Sequence, residues 1–143
     1  MRRITIIVLL SSFIIRSHAQ SNELTEQLGN IKLEFRLGDS GIAEYAVYFK
    51  DHVVIKPSAL GFNLKNNPAL RYFKIIRSER KTFDETWKPV WGEVSQIRNH
   101  YNELKVYLQE RNEPNRFFDI VFRVFQDGVG FRYEFPVQPP LKY

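Results

Sequence analysis

Cysteine is absent from these 143 residues, and histidine occurs only three times. Disulfide staples and thiolate zinc sites are therefore excluded, as is a lipid anchor through an N-terminal cysteine. Sustained helical periodicity is also lacking, and there are no internal repeats or low-complexity tracts. No glycine-rich phosphate loop and no Gly-x-Ser-x-Gly nucleophile elbow occurs, so nucleotide chemistry and triad hydrolysis have no footing. His100 has no nucleophile motif to serve as a base. A chain of this length must fold around one hydrophobic core, as one domain or as part of a larger one.

Excess charge is scarcer than the formal +5 suggests. Arg2 and Arg3 precede an apolar run from Ile4 to Ile15, and Ser17-His18-Ala19 offers the small residues a signal peptidase reads. The run is too short to span a bilayer, so residues 1–19 are expected to be a cleaved secretory signal rather than an uncleaved anchor. Arg2, Arg3 and Arg16 take three of the 21 basic residues, leaving 18 against 16 acids from Gln20 onward. That balance gives no basic footprint for nucleic acid or for a membrane surface after cleavage. The expected address is periplasmic or secreted.

What is present is strand patterning. Residues 20–30 are polar and are read as a mobile leader. From Ile31 to Leu37 apolar and polar residues alternate, Gly38-Asp39-Ser40-Gly41 turns the chain, and Ala43, Tyr45, Val47 and Phe49 share a face of the returning strand. A hairpin at Lys50-Asp51 leads into His52–Lys56, which Pro57 is expected to stop. The opening thus reads as a three-stranded meander. Leu60, Phe62 and Leu64 lie to one side, and Lys65–Pro68 reads as a surface loop. Tyr72–Glu79 is a strand with weak alternation. Phe117–Phe125 has the wholly apolar even face of a central strand, and Asp127-Gly128 predicts a type I′ hairpin. Seven to nine short strands imply an all-β antiparallel β-sandwich spanning residues 31–143.

The least ordinary stretch is Thr82–Leu104, which holds both tryptophans. Pro89 forbids a helix through it. Its first half is read as an irregular arm, and Arg98–Leu108 as the strand that anchors it. The run Thr82-Phe83-Asp84-Glu85-Thr86-Trp87-Lys88-Pro89-Val90-Trp91-Gly92-Glu93, then Ile97-Arg98-Asn99-His100-Tyr101-Asn102-Glu103-Leu104, resembles the N-terminal domain of glycoside hydrolase family 97, the SusB-like α-glucosidases and α-galactosidases. A second matching run is Val121 to Pro136, carrying Phe125-Gln126-Asp127-Gly128-Val129-Gly130-Phe131. The resemblance covers about Ile31 to Tyr143. It implies a galactose-mutarotase-like super-sandwich followed by a catalytic (β/α)₈ barrel and a C-terminal β domain. This chain corresponds only to the first part of the first domain, an incomplete sandwich with an edge that missing sequence would cover. By the same resemblance, the full enzyme cleaves α-glucosidic or α-galactosidic bonds with calcium, through acids lying in the barrel.

No catalytic residue is therefore assigned here, although Asp84, Glu85, Glu93, Glu103, Asp127 and Glu134 are carboxylates of the required type. No calcium ligand or other metal site is assigned either. Carbohydrate-binding or domain-interface candidates are Trp87, Lys88, Trp91, Glu93, Arg98, Asn99, His100 and Tyr101. The rings would stack on sugar faces and the polar groups bond hydroxyls, or both indoles would pack on the sandwich or on the barrel. The implied partner is an oligosaccharide or the enzyme's own barrel. A stand-alone carbohydrate-binding module, stacking sugar on Trp87, Trp91 and Tyr101, is the rival.

Overall fold

The computed structural model describes residues 22–65 and 69–139. The expected signal peptide, the Asn66–Pro68 part of the surface loop and the connection after Pro139 lie outside the described residues. Eight strands and no helix occur among them: β1 (Glu23–Leu28), β2 (Ile31–Leu37), β3 (Ala43–Phe49), β4 (His52–Leu60), β5 (Phe73–Trp87), β6 (Ile97–Glu110), β7 (Phe117–Val124) and β8 (Val129–Glu134). They form two four-stranded antiparallel meanders, ordered β1-β2-β3-β4 and β5-β6-β7-β8.

The two sheets face each other through the alternating apolar residues. Ile31, Leu33, Phe35 and Leu37 of β2 are buried, and across from them lie Leu104, Val106 and Leu108 of β6 with Phe118, Ile120, Phe122 and Val124 of β7. Aromatic contacts join the layers: Phe35 meets Phe122 with centroids 5.8 Å apart, and Phe62 meets Phe118 at 5.8 Å and Tyr133 at 4.3 Å. β7 is covered on both sides, since Asp119 and Val121 of its odd face are buried as well. The continuous apolar run predicted that position.

Several expectations are corrected. The stretch read as a mobile leader contains β1, paired with β2 from Glu23↔Arg36 to Leu28↔Ile31. An edge strand needs apolar residues on one face only, and Leu24 and Leu28 suffice to pack on the core. Pro57 does not stop β4. It lies on an edge strand where the register slips, with Val47 opposite Ile55 and Tyr45 opposite Ser58, so its missing N–H breaks no ladder bond there. On β3, contrary to the single shared face expected, Ala46 is buried and Phe49 is 40% exposed. Thr82–Trp87 is strand rather than irregular, because β5 continues unbroken from Phe73. Its weak alternation reflects a bulge between Ile75 and Arg77. Positive φ at both central residues of a two-residue hairpin occurs at Lys50-Asp51, with φ of 48° and 63°, whereas neither Asp127 nor Gly128 has positive φ. There, the Phe125 N–H donates to the Gly128 carbonyl at 2.8 Å.

One close approach ties the first sheet to the start of the second. Gly41, at φ 72°, accepts the Phe73 N–H at 2.7 Å, and a Cβ on it would stand 2.5 Å from the Phe73 carbonyl oxygen. Gly41→Ala is expected to cost at least about 2 kcal/mol, and Phe118→Ala about 3–5 kcal/mol. Both losses would appear as lower urea midpoints with unchanged m-values.

Candidate functional site

β5 pairs with β6 along its whole length, from Phe73↔Glu110 to Trp87↔Ile97. β7 pairs with β6 only from Asn102 to Gln109. Beyond Asn102 the two long strands therefore run out of the sandwich as a two-stranded arm, closed by the Lys88–Gln96 loop. Isolated two-stranded ribbons are marginal in water, so the arm needs support on its faces.

That support is present on both. On the face continuous with the core, the Arg98 guanidinium grips Asp84 with two bonds, Nε to Oδ1 at 2.8 Å and Nη2 to Oδ2 at 2.7 Å. These bonds, with the Arg98 charge and the nearby His100, hold the Asp84 carboxyl below its ordinary pKa. At the root, Thr82 donates to Asn102, whose amide donates to the Gln27 carbonyl, and Arg80 donates to the Thr25 carbonyl and pairs with Glu26. On the opposite face Tyr101 is buried, stacked on Phe83 at 5.1 Å, touching Phe125 at 5.3 Å and lying under the Arg123 guanidinium at 4.4 Å.

The sequence-predicted residues thus separate into three groups. Tyr101 is a pillar of the arm's root and cannot serve as a stacking surface for sugar. Arg98, Asn99 and His100 line a crevice of about 350 Å³ together with Phe125, Gln126 and Asp127 of the β7–β8 hairpin. The Nδ1 of His100 is enclosed there without a hydrogen-bond partner. Trp87, Lys88, Trp91 and Glu93 sit at the arm's tip, exposed. Trp91 is 88% exposed, Val90 99% and Val94 58%, and Trp87 and Ile97 complete an apolar tip. Neither indole packs on the sandwich, because the arm carries both past its end. Sequence reasoning missed Phe125, Gln126 and Asp127, which look like ordinary turn residues until the hairpin is placed beside β6.

Of the six carboxylates singled out in the sequence, Asp84, Glu103 and Glu134 are held by basic side chains. Glu103 is bound by Arg123 at 2.9 Å, and Glu134 by Lys105 at 2.7 Å and Arg132 at 2.8 Å. Lys105 also reaches Asp119 at 3.2 Å, a carboxyl whose burial pushes its pKa up. Glu85, Glu93 and Asp127 are exposed. No group of three or more His, Asp or Glu able to hold a metal ion occurs among the described residues.

The sequence profile described as Glycosyl-hydrolase 97 N-terminal matches residues 27–142. The chain belongs to this family. It is 24% identical over 135 residues to a retaining alpha-galactosidase of Bacteroides thetaiotaomicron, a match covering 93% of this chain and 19% of that protein. Among solved structures, a glycoside hydrolase family 97 enzyme of Pseudoalteromonas sp. strain K8, in complex with panose and again with acarbose, shares 33% identity at a TM-score of 0.76, over 81% of this chain and 18% of that one. A beta-arabinopyranosidase at 22% identity and a TM-score of 0.68 shares the fold. The chain thus spans less than a fifth of the length of these relatives.

Two outcomes follow for the arm. Asp84→Asn removes the carboxylate that Arg98 holds, so amide exchange in the arm should accelerate while the midpoint of global unfolding stays put. Because Asp84's folded pKa is depressed, the clamp is fully formed above the ordinary carboxylate pKa and is lost as pH falls through the folded value. Acidification of the parent chain should therefore loosen the arm in the same way. Trp91→Ala should leave thermal melting unchanged, since an exposed side chain loses little burial; a marked loss of stability would show that the tip is packed.

Proposed function

We propose that this chain is the N-terminal scaffold portion of an exported family 97 glycoside hydrolase, and that its arm docks on the enzyme's catalytic portion beside the substrate entrance. The observation carrying this reading is the exposed apolar tip, Trp87, Val90, Trp91, Val94 and Ile97, held out on a ribbon braced from both faces. Large exposed apolar groups on a supported element mark an interaction surface. Both complexes of the Pseudoalteromonas enzyme contain an oligosaccharide ligand, and a relative is an alpha-galactosidase. The full enzyme is read accordingly as acting on α-glucosidic or α-galactosidic bonds, with its acids and its calcium held in the catalytic barrel. The present residues position that barrel and do not cleave.

Export rests on the basic, then apolar, then small-residue pattern of residues 1–19. The address is the periplasm or beyond it, and the exported species should have the mass of a chain beginning at Gln20.

A binding module is the second reading, favoured by the exposure of both indoles and weakened by the burial of Tyr101. Tryptophan fluorescence titrated with maltose, panose or melibiose separates the two. The scaffold reading predicts no saturable change and no release of monosaccharide by the chain alone. Saturable quenching lost in Trp91→Ala would support the module, and hydrolysis would contradict both.

A further inference from the structure

The two margins of the sandwich are finished differently. On one margin β1 is stitched to the second sheet, where Asn102 donates to the Gln27 carbonyl at 2.8 Å and Arg80 pairs with Glu26 at 3.3 Å. The other margin, between β4 and β8, stays open. Cross-strand partners share a face, so Phe49 looks inward beside Ile31, Ile55 beside Val47, and Phe131 beside Phe122. Yet Phe49 is 40% exposed and Phe131 42%, while Ile55 and Val129 are only half-buried. The sheets are out of step. β3 already lies over β7 and β8, with Tyr45 on Phe122 at 6.3 Å and on Phe131 at 5.5 Å, so β4 has no described strand beneath it. Only past the end of β4 does Phe62 reach the second sheet, on Phe118 and Tyr133.

The β8 main chain is open along this same margin. The Phe125 N–H donates to the Gly128 carbonyl, which makes that pair a hydrogen-bonded rung, and the register runs without a slip to Asp119↔Glu134. Such rungs alternate in an antiparallel ladder. Gly130, Arg132 and Glu134 therefore turn their main-chain groups to β7, and Val129, Phe131 and Tyr133 turn theirs away from it. β8 is the last strand of its sheet, and no described strand takes those groups.

We infer that β8 is the edge at which this sandwich continues, and that the stretch of the parent enzyme following residue 143 returns antiparallel beside it, under β4. The inference rests on reading the chain as the N-terminal portion of a longer enzyme. The occupant is named by the chain's own layout. This chain spans less than a fifth of the length of its relatives, so they hold the sequence to build another strand. Within each sheet every spatial neighbour is also the next strand in the chain, an order that the following segment extends. The polypeptide leaves β8 alongside β7, where the Gln138 side-chain amide holds both main-chain groups of Phe117 at 2.7 Å. It is thus delivered to the end of β8 from which a hairpin returns. A tethered strand also meets the edge at a higher effective concentration than a second copy does. Apolar residues at alternate positions of the added strand would fill the space between Phe49, Ile55 and Phe131, and its centre should lack proline.

Residue-resolved amide exchange in this chain alone should show Val129, Phe131 and Tyr133 at least about tenfold faster than Gly130 and Arg132. In the intact Pseudoalteromonas family 97 enzyme, the aligned amides of all five should be slow. Equal protection of the five in the isolated chain, or fast exchange of the aligned three in the intact enzyme, would overturn the inference. A photoreactive benzoylphenylalanine at the position aligned with Phe131 in that enzyme identifies the occupant. Among crosslinks reaching beyond the aligned residues 22–139, the expected target is the segment directly following. Crosslinks only to a later segment or to a second copy, or none at all, would overturn the assignment. Oxidative footprinting of the aligned arm tip reports docking separately. A protected tip with a fast β8 edge would remove this inference alone, and an unprotected tip with a slow edge would support it while removing the docking.

Discussion

The pairing of β5 with β6 is the constraint on which the rest depends. It begins inside the sandwich, where Leu104, Val106 and Leu108 are buried, passes the one bulge between Ile75 and Arg77, and then holds a single register until Trp87 faces Ile97 beyond it. The buried half fixes the register by hydrophobic alternation, since a slip of one residue would turn these side chains outward. The exposed half inherits that register. The arm's geometry is thus set by a core that lies outside the arm.

Projection of a narrow ribbon into water needs more than register. Two different kinds of contact supply it: a bidentate guanidinium–carboxylate pair on one face and a stack of rings on the other. The exposed ion pair is individually weak, yet it acts at the point where no third strand exists. The buried Tyr101 contributes more, because its ring is enclosed by Phe83, Phe125 and Arg123. Rigidity at the root and apolar exposure at the tip together make a surface prepared for a partner, so little ordering cost remains when the partner binds.

Much of this was legible in the residues. Alternation in β2 and the apolar face of β7 predicted an all-β sandwich, and the twin-tryptophan stretch with its neighbouring strand pointed to the family. Edge strands were harder to read. β1 carries only two apolar side chains toward the core, and β4 tolerates Pro57 where its ladder slips. The arm's first half looked irregular because residues flanked by solvent on both faces need no alternation. The roles of Arg98 and Tyr101 were not readable from spacing. They depend on Asp84 and Phe125 being brought alongside, one by cross-strand pairing and the other by a hairpin more than twenty residues away in the chain. The crevice was hidden for the same reason, since half of its lining belongs to that hairpin.

The central claim is that the arm is preformed in the free chain, and the lack of native cysteine makes one measurement especially clean. Spin labels on cysteines replacing Glu85, on the arm, and Asp51, in the β3–β4 turn, report the distance between arm and sandwich. The account predicts a single narrow distribution near neutral pH. A broad distribution would mean that the arm is ordered only by its partner, contrary to the picture of a braced, ready surface.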